Sequence, residues 1–221
     1  MKYMFRYRFS VATFIFLFIS SIAFTTQAQA PKGFSDVVNT MSLQSSLANS
    51  AKSTQTISSD FSQVKHMKMM NDKVNSKGKF YFKREDKIRI EYTSPFQYLL
   101  VMSGGQIMVR DENKTNKINT RNSKTMQSVN KVMMDCMRGT VFGNKDFAVK
   151  AFESKTQYMM QLTPANSSMK NLFARIDVYI EKADNSVSKL VMNENGGDYT
   201  EMVFTNKKIN TTLPYALFSI R

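Results

Sequence analysis

Cysteine, tryptophan and histidine are nearly missing from this chain of 221 residues, which holds one Cys, no Trp and one His. A lone cysteine, Cys136, excludes an intramolecular disulfide, so the fold must stand on apolar burial and backbone pairing alone. With His66 as the sole imidazole, a Cys–His pair or a serine triad would have to recruit that residue. It sits between Lys65 and Met67 in a segment read as a strand, and it is expected at the surface. No H-E-x-x-H, C-x-x-C or Gly-rich phosphate loop occurs, and Asp111-Glu112-Asn113 lacks the spacing of a calcium loop. The residues therefore argue against an enzyme and call for no cofactor or metal. Four prolines mark turns or ends, and no repeat, linker or low-complexity tract divides the chain, so one domain is expected.

Acidic residues are scarce too: 17 stand against 31 Lys and Arg, a formal net charge of +14. Part of that excess belongs to a leader. MKYMFRYRF carries Lys2, Arg6 and Arg8; Val11–Phe24 is a run of mostly large apolar side chains, and TTQAQA follows. A basic start, a short apolar run and a small-residue end make a secretory signal peptide. The run falls short of the about 20 residues a membrane-spanning helix needs. Cleavage is expected after Ala28, with Thr26 and Ala28 as the small pair; a cut after Ala30 would leave Pro31 next, a poor protease substrate. Residues 1–28 are thus read as signal peptide and 29–221 as one exported domain. No cysteine near the cut offers a lipid-anchoring site. Losing three basic and no acidic residues lowers the charge from +14 to +11. The remaining basic residues are scattered, and outside the cytoplasm the nearer anions are membrane headgroups. Transient membrane-surface contact is expected, and no nucleic acid.

Methionine is in surplus: fifteen of the seventeen lie beyond the signal. Unbranched and polarizable, Met suits surfaces that repack around variable apolar shapes, although a Met-tolerant core or a compositional habit would account for it equally. Near the start, Phe34, Val37, Val38, Met41 and Leu43 follow roughly helical spacing over Phe34–Leu47, with a serine-rich stretch after it. From Ile57 onward strands dominate: KFYFKR, IRIEYT, YLLVM and QIMVR, then FAVKAF, TQYMMQL, LFARIDVYIEK, SVSKLVMNE, YTEMVFTN and LFSI. Asp184-Asn185 and Gly196-Gly197 sit where hairpin turns belong. Ten or so short strands argue for one large antiparallel sheet, closed or half closed. One segment breaks the pattern. Val129, Val132, Met133, Cys136 and Met137 recur at helical period in Ser128–Gly143, with Gly139 as the stop. This helix is either a lid over a cavity or a stabilising cap on the sheet's end.

Gly78–Pro95, GKFYFKREDKIRIEYTSP, alternates apolar and charged residues almost without a break. It suits a basic nucleic-acid face, a sandwich core or a cavity wall. Phe80, Phe82 and Arg84 share one side of the first strand, and Ile88, Ile90 and Tyr92 one side of the second. Only an odd loop, taken as Glu85-Asp86-Lys87, keeps both apolar sets together, pairing Phe80 with Tyr92, Phe82 with Ile90 and Arg84 with Ile88. Arg84 then lies on the apolar face at the hairpin's end. It either holds a lid through backbone carbonyls or reaches out to solvent.

Phe61–Ile118 resembles the outer-membrane lipoprotein carrier family LolA. The matching residues are Phe61-Ser62-Gln63, Gly78, Lys83-Arg84-Glu85, Arg89-Ile90-Glu91-Tyr92, Thr93-Ser94-Pro95 and Ser103-Gly104-Gly105, with Leu213–Phe218 as a further candidate closing strand. The resemblance implies an incomplete, half-open antiparallel β-barrel, mainly β with a helical lid over its concave apolar face. It implies a periplasmic carrier that takes acylated lipoproteins from an ABC-type lipoprotein-releasing complex of the inner membrane and passes them to an outer-membrane acceptor. By motif, Arg84 is the lid latch. The acyl-chain-binding wall is Phe80, Phe82, Ile88, Ile90 and Tyr92, with Leu99 and Val101 of the next strand, and the lid helix presents Val129, Val132, Met133, Cys136 and Met137. Glu85 stands where the family has Pro, and Ile90 where it has Trp. No lipobox cysteine occurs, which separates this chain from the anchored acceptor; a monomer is the default.

An acyl chain gains about 0.8 kcal/mol per buried CH₂, so a carrier must cover its cargo yet release it. Lid contacts that close the empty cavity would compete with cargo and ease release. The alternative on the same fold is a sensor that binds lipid or lipoprotein without transporting it. A structural or adhesin domain would have no cavity at all.

Overall fold

Apolar residues at every second position make the strands, and the chain's order folds them into one sheet. The computed structural model describes residues 30–119, 122 and 124–220, without the side chains at 124–126 and 129. The expected signal, residues 1–28, lies outside the described residues. Among those residues the strands are β1 (Ser35–Asp36), β2 (Thr56–Met67), β3 (Asp72–Lys83), β4 (Lys87–Ser94), β5 (Tyr98–Ser103), β6 (Gln106–Arg110), β7 (Thr115–Asn119), β8 (Phe147–Glu153), β9 (Gln157–Pro164), β10 (Arg175–Glu181), β11 (Val187–Asn193) and β12 (Tyr199–Ile209). All pair antiparallel in the order β1-β8-β9-β10-β11-β12-β2-β3-β4-β5-β6-β7. The edges β1 and β7 do not meet, so the sheet is open rather than a closed barrel.

Two connections explain the helices. The chain leaves the sheet at edge β7 and re-enters at β8, beside the opposite edge, and α2 (Lys124–Met137) makes that crossing. Helix α1 (Thr40–Ser53) likewise carries the chain from β1 at one edge to β2 in the middle. Both crossings run over the same face. A short α3 (Ser167–Lys170) joins β9 to β10.

The first helix lies later than its spacing predicts. Asn39 caps it, its Oδ1 accepting from the Ser42 amide at 2.9 Å, which places the start after Val38. Val38 and Met41 are 96% and 76% exposed; the buried stripe is Leu43 and Leu47, one turn apart. The serine-rich stretch continues the helix, because packing on the sheet outweighs serine's modest helix propensity. The terminal LFSI is not a strand either. Tyr215–Phe218 is a 3₁₀ turn after Pro214, and it lies across the sheet's outer face, where Leu213 and Phe218 pack on Val101 and Met108. Lys83 Nζ donates to the Leu213 carbonyl at 2.7 Å and Arg89 Nη1 to that of Leu217 at 3.1 Å. Neither β1 nor β7 is legible as a strand: one has two residues, the other is exposed throughout.

The opening hairpin keeps its odd loop but slips by one pair. Phe80 faces Ile90, Phe82 faces Ile88 and Lys83 faces Lys87, so the loop is Arg84-Glu85-Asp86. A slip of two residues preserves which face each side chain takes, so the apolar sets still coincide. Glu85 and Asp86 have φ of 76° and 61°, and proline, with φ held near −65°, does not fit position 85. Farther along, the pairing bulges between Lys77 and Gly78, and the bare Cα of Gly78 makes room for the ring of Phe61. A Cβ on Gly78 would sit 2.5 Å from Phe61 Cζ and 2.1 Å from the Glu91 carbonyl oxygen.

Candidate functional site

Under the two helices lies an apolar cavity of about 320 Å³. Its walls come from seven neighbouring strands, β9 through β12 and β2 through β4. Laid flat at about 4.8 Å spacing, seven strands would extend about 29 Å. A single cavity that touches all of them requires the sheet to curl, and bulges at Tyr179/Ile180, Thr205/Lys208 and Lys77/Gly78 supply added twist.

The wall on the hairpin side is Phe80, Ile88, Ile90 and Tyr92, with Ile57, Ser59 and Gln63 of β2. Tyr92 brings a polar group to this wall. Its hydroxyl donates to Gln63 Oε1 at 2.8 Å, the ring meets Phe61 edge-on at 5.1 Å, and burial pushes its phenol above the ordinary range. Phe82 shares the face but is packed into the core beneath rather than onto the cavity. Leu99 and Val101 are a correction: they point to the opposite face of the sheet, among Met108, Leu213 and Phe218. Leu100 and Met102 take the inward positions, opposite Ile90 and Ile88. YLLVM is apolar at every position, so alternation alone does not choose between its faces.

The roof is shared by both helices. Val132, Met133, Cys136 and Met137 of α2 line the cavity, as do Leu47, Ser50 and Ala51 of α1 and Thr54, which caps it. The side chain of Val129 lies outside the described residues. Met134, absent from the expected stripe, is buried against the β3–β6 core. Burial, with Asp135 beside it, pushes the Cys136 thiol up to about 12, so the group stays neutral. His66 is on the outer face, stacked on Tyr199 at 4.1 Å, and the structure does not bring it to Cys136. Gly139, at φ +66°, lets the two helices touch: a Cβ there would stand 2.6 Å from the Leu47 carbonyl.

The far wall belongs to the second half of the chain: Met160, Met169, Val178, Ile180, Met192 and Met202 among others. Sequence reasoning did not assign these, although the alternation of Ile176, Val178 and Ile180 carried the signal. The polar rim is the β10–β11 turn, Asp184-Asn185-Ser186, with Lys207; Lys207 Nζ donates to the Ser186 hydroxyl, and Asn185 Nδ2 to Ser46 Oγ of α1 at 3.2 Å.

Arg84 bonds to a helix other than the mid-chain one. Its Nη2 donates to the carbonyls of Ala51 at 2.7 Å, Lys52 at 2.5 Å and Thr54 at 3.2 Å, and its Nε to Thr54 at 3.3 Å. These carbonyls lie at the end of α1, where that of Ala51 also accepts from the Thr54 amide at 3.2 Å and a cation suits the helix dipole. From the same loop, both carboxylate oxygens of Asp86 accept from Arg138 Nη2, at 2.5 and 2.6 Å, just past the end of α2. One three-residue turn therefore holds both halves of the roof.

A single open antiparallel sheet, curled around an apolar cavity and roofed by two crossover helices, defines the structural class. The chain belongs to the LolA family: the model described as outer membrane lipoprotein carrier protein LolA matches residues 52–221. It is 25% identical over 176 residues to an outer-membrane lipoprotein carrier protein of Methylococcus capsulatus, covering 79% of this chain and 81% of that one. Among solved structures it is similar to a LolA superfamily protein from Nitrosomonas europaea, at 10% identity and a TM-score of 0.44 over 80% of this chain and 97% of that one. It is also similar to the Mycobacterium tuberculosis lipoprotein LppX, at 12% identity and a TM-score of 0.43 over 78% and 96%.

Proposed function

We propose that this chain is a periplasmic lipoprotein carrier, made with a signal peptide over residues 1–28 and acting as one domain over 29–221. Its cavity takes the acyl chains of lipoproteins released from the inner membrane by an ABC-type complex and yields them to an acceptor at the outer membrane. The observation that carries this reading is the roof: two helices cover an apolar cavity, and their ends are held by exposed, breakable polar contacts to one loop.

A volume of about 320 Å³ is at the small end of the about 300–1,000 Å³ typical of ligand pockets. A cargo with two or three long chains therefore requires α1 and α2 to move apart. Methionines suit that duty, since Met133 and Met137 on the roof share the cavity lining with Met160, Met169, Met192 and Met202 and pack adaptably against varied shapes. Closing the empty cavity recovers those apolar contacts, which opposes cargo binding and eases hand-over. Nothing in the reading requires catalysis: the sole thiol is neutral and half-buried, and the sole imidazole faces the other way.

The test is gentle purification from the protein's own envelope, mass spectrometry of retained acylated species, and release of lipoprotein from inner-membrane vesicles. Retained lipoprotein with stimulated release is the expected result. Retention without stimulated release would instead identify a sensor, and no retained lipid at all would refute a lipid-binding role.

A further inference from the structure

The longest pairing in the sheet ends in a turn with two exposed methionines. β2 and β3 are twelve residues each and pair throughout, from Thr56 opposite Lys83 to Met67 opposite Asp72. Their neighbours stop earlier. Pairing with β4 ends at Lys77 opposite Ser94; Asp72–Ser76, at about 3.3 Å per residue, carry the hairpin about 17 Å past it. On the other side β12 begins opposite His66, and its preceding turn reaches only Lys68, whose amide donates to Asp198 Oδ1 at 3.0 Å. The turn Met69-Met70-Asn71 stands beyond both. Met69 is 97% exposed and Met70 65%, with Val74 behind them at 40%. So much water-facing apolar surface at a protruding tip does not serve folding; such patches mark contact sites.

The collar of the tip is basic. Lys65, Lys68, Lys73 and Lys77 lie on the outer part of this hairpin, residues 65–77, with a single acid there, Asp72. Lys65 is paired with Glu194 at 3.0 Å, leaving Lys68, Lys73 and Lys77 against Asp72 and Asp198. Apolar side chains at the point and ammonium groups behind them match the layering of an anionic bilayer surface, with acyl carbon below and phosphate above. Neither signal alone holds a protein at a membrane; together they give reversible attachment.

We propose that the β2–β3 tip is a membrane-docking element, in which Met69 and Met70 enter the interface of an anionic lipid bilayer and Lys68, Lys73 and Lys77 meet lipid phosphates. The assignment does not depend on what the cavity holds. The chain from residue 29 onward, which contains every described element, is sedimented with vesicles of phosphatidylglycerol and phosphatidylethanolamine, and with vesicles of phosphatidylcholine alone. Binding is expected to the anionic vesicles and to fall with added salt. The double substitution M69D/M70D weakens it about a hundredfold, from about tenfold per methionine, and K68Q/K73Q about twenty-fivefold, from about fivefold per lysine. M41D, in equally exposed apolar surface on α1, leaves binding unchanged. M69C, made together with C136S so that it is the sole thiol, carries an environment-sensitive dye, and its emission shifts to the blue on the anionic vesicles. Absence of binding to anionic vesicles overturns the lipid assignment and leaves the tip to a protein socket. Binding that survives M69D/M70D, is lost equally in M41D, or leaves the dye in water overturns the role of the tip.

Discussion

Substituting Arg84→Leu removes the latch on α1 and leaves the helix to its packing. Four hydrogen bonds disappear, to the carbonyls of Ala51, Lys52 and Thr54. A hydrogen bond to a charged group contributes about 1.5–3 kcal/mol at most. Arg84 is exposed, so the released carbonyls regain water and the whole set is worth far less than that sum. With about 0.3–1 kcal/mol for a cation at a helix C-terminus, the net loss is about 1–2 kcal/mol, a factor of about 5–30 in the closed-to-open equilibrium of α1. Native-state hydrogen exchange reads this directly. Amides from Leu47 to Ser53 should exchange about 5–30 times faster, while those of β2, β10 and β11 hold within about twofold. Arg84→Lys should fall between, because one ammonium does not span three carbonyls. On the proposed carrier function, cargo uptake should be retained and hand-over should slow, because the empty closed state competes less well with the loaded one. Unchanged exchange in α1 would refute the latch and assign the closure to Leu43 and Leu47 alone.

Gly78→Ala should be costly for a reason confined to one atom: its methyl would overlap Phe61 Cζ and the Glu91 carbonyl. A loss of about 3 kcal/mol corresponds to a Tm lower by roughly 6–12 °C in a domain of this size; a drop under 2 °C would refute the contact. Phe218→Ala should destabilise by about 3 kcal/mol in urea unfolding, yet leave uptake of a fluorescent fatty acid unchanged, since Phe218 packs on the outer face; lost uptake would place that segment at the cavity. Cys136 should resist iodoacetamide at pH 8 in the native protein and react once unfolded. Its thiol rises from the ordinary 9.0 to about 12 on folding. Below about pH 9 the proton stays on in both states. Between about 9 and about 12 only the unfolded chain loses it, so this group's contribution makes stability fall as pH rises through that window. A denaturation midpoint that C136S leaves with the same pH dependence would contradict this.

Local chemistry was legible wherever neighbours in sequence decide the outcome. The alternation of Phe80, Phe82, Ile88, Ile90 and Tyr92 required an odd loop and one shared apolar face, and a pair-wise slip in register left that face intact, because side chains repeat every two residues. The period of Val132, Met133, Cys136 and Met137 likewise required an amphipathic helix with that stripe turned inward. The outcome of YLLVM was not local. Both of its faces are buried, one by the roof and one by the chain's own C-terminal segment more than a hundred residues later, so no pattern within it separates Leu99 from Leu100. The partner of Arg84 was decided at the same range: its position at the rim follows from the hairpin, but the carbonyls it meets belong to a helix placed by the crossing from β1 to β2. The sequence by itself determined which side chains face together along each element. Only the tertiary structure decided what those faces meet, since closing seven strands around one cavity is a property of their joint curvature and not of any one of them.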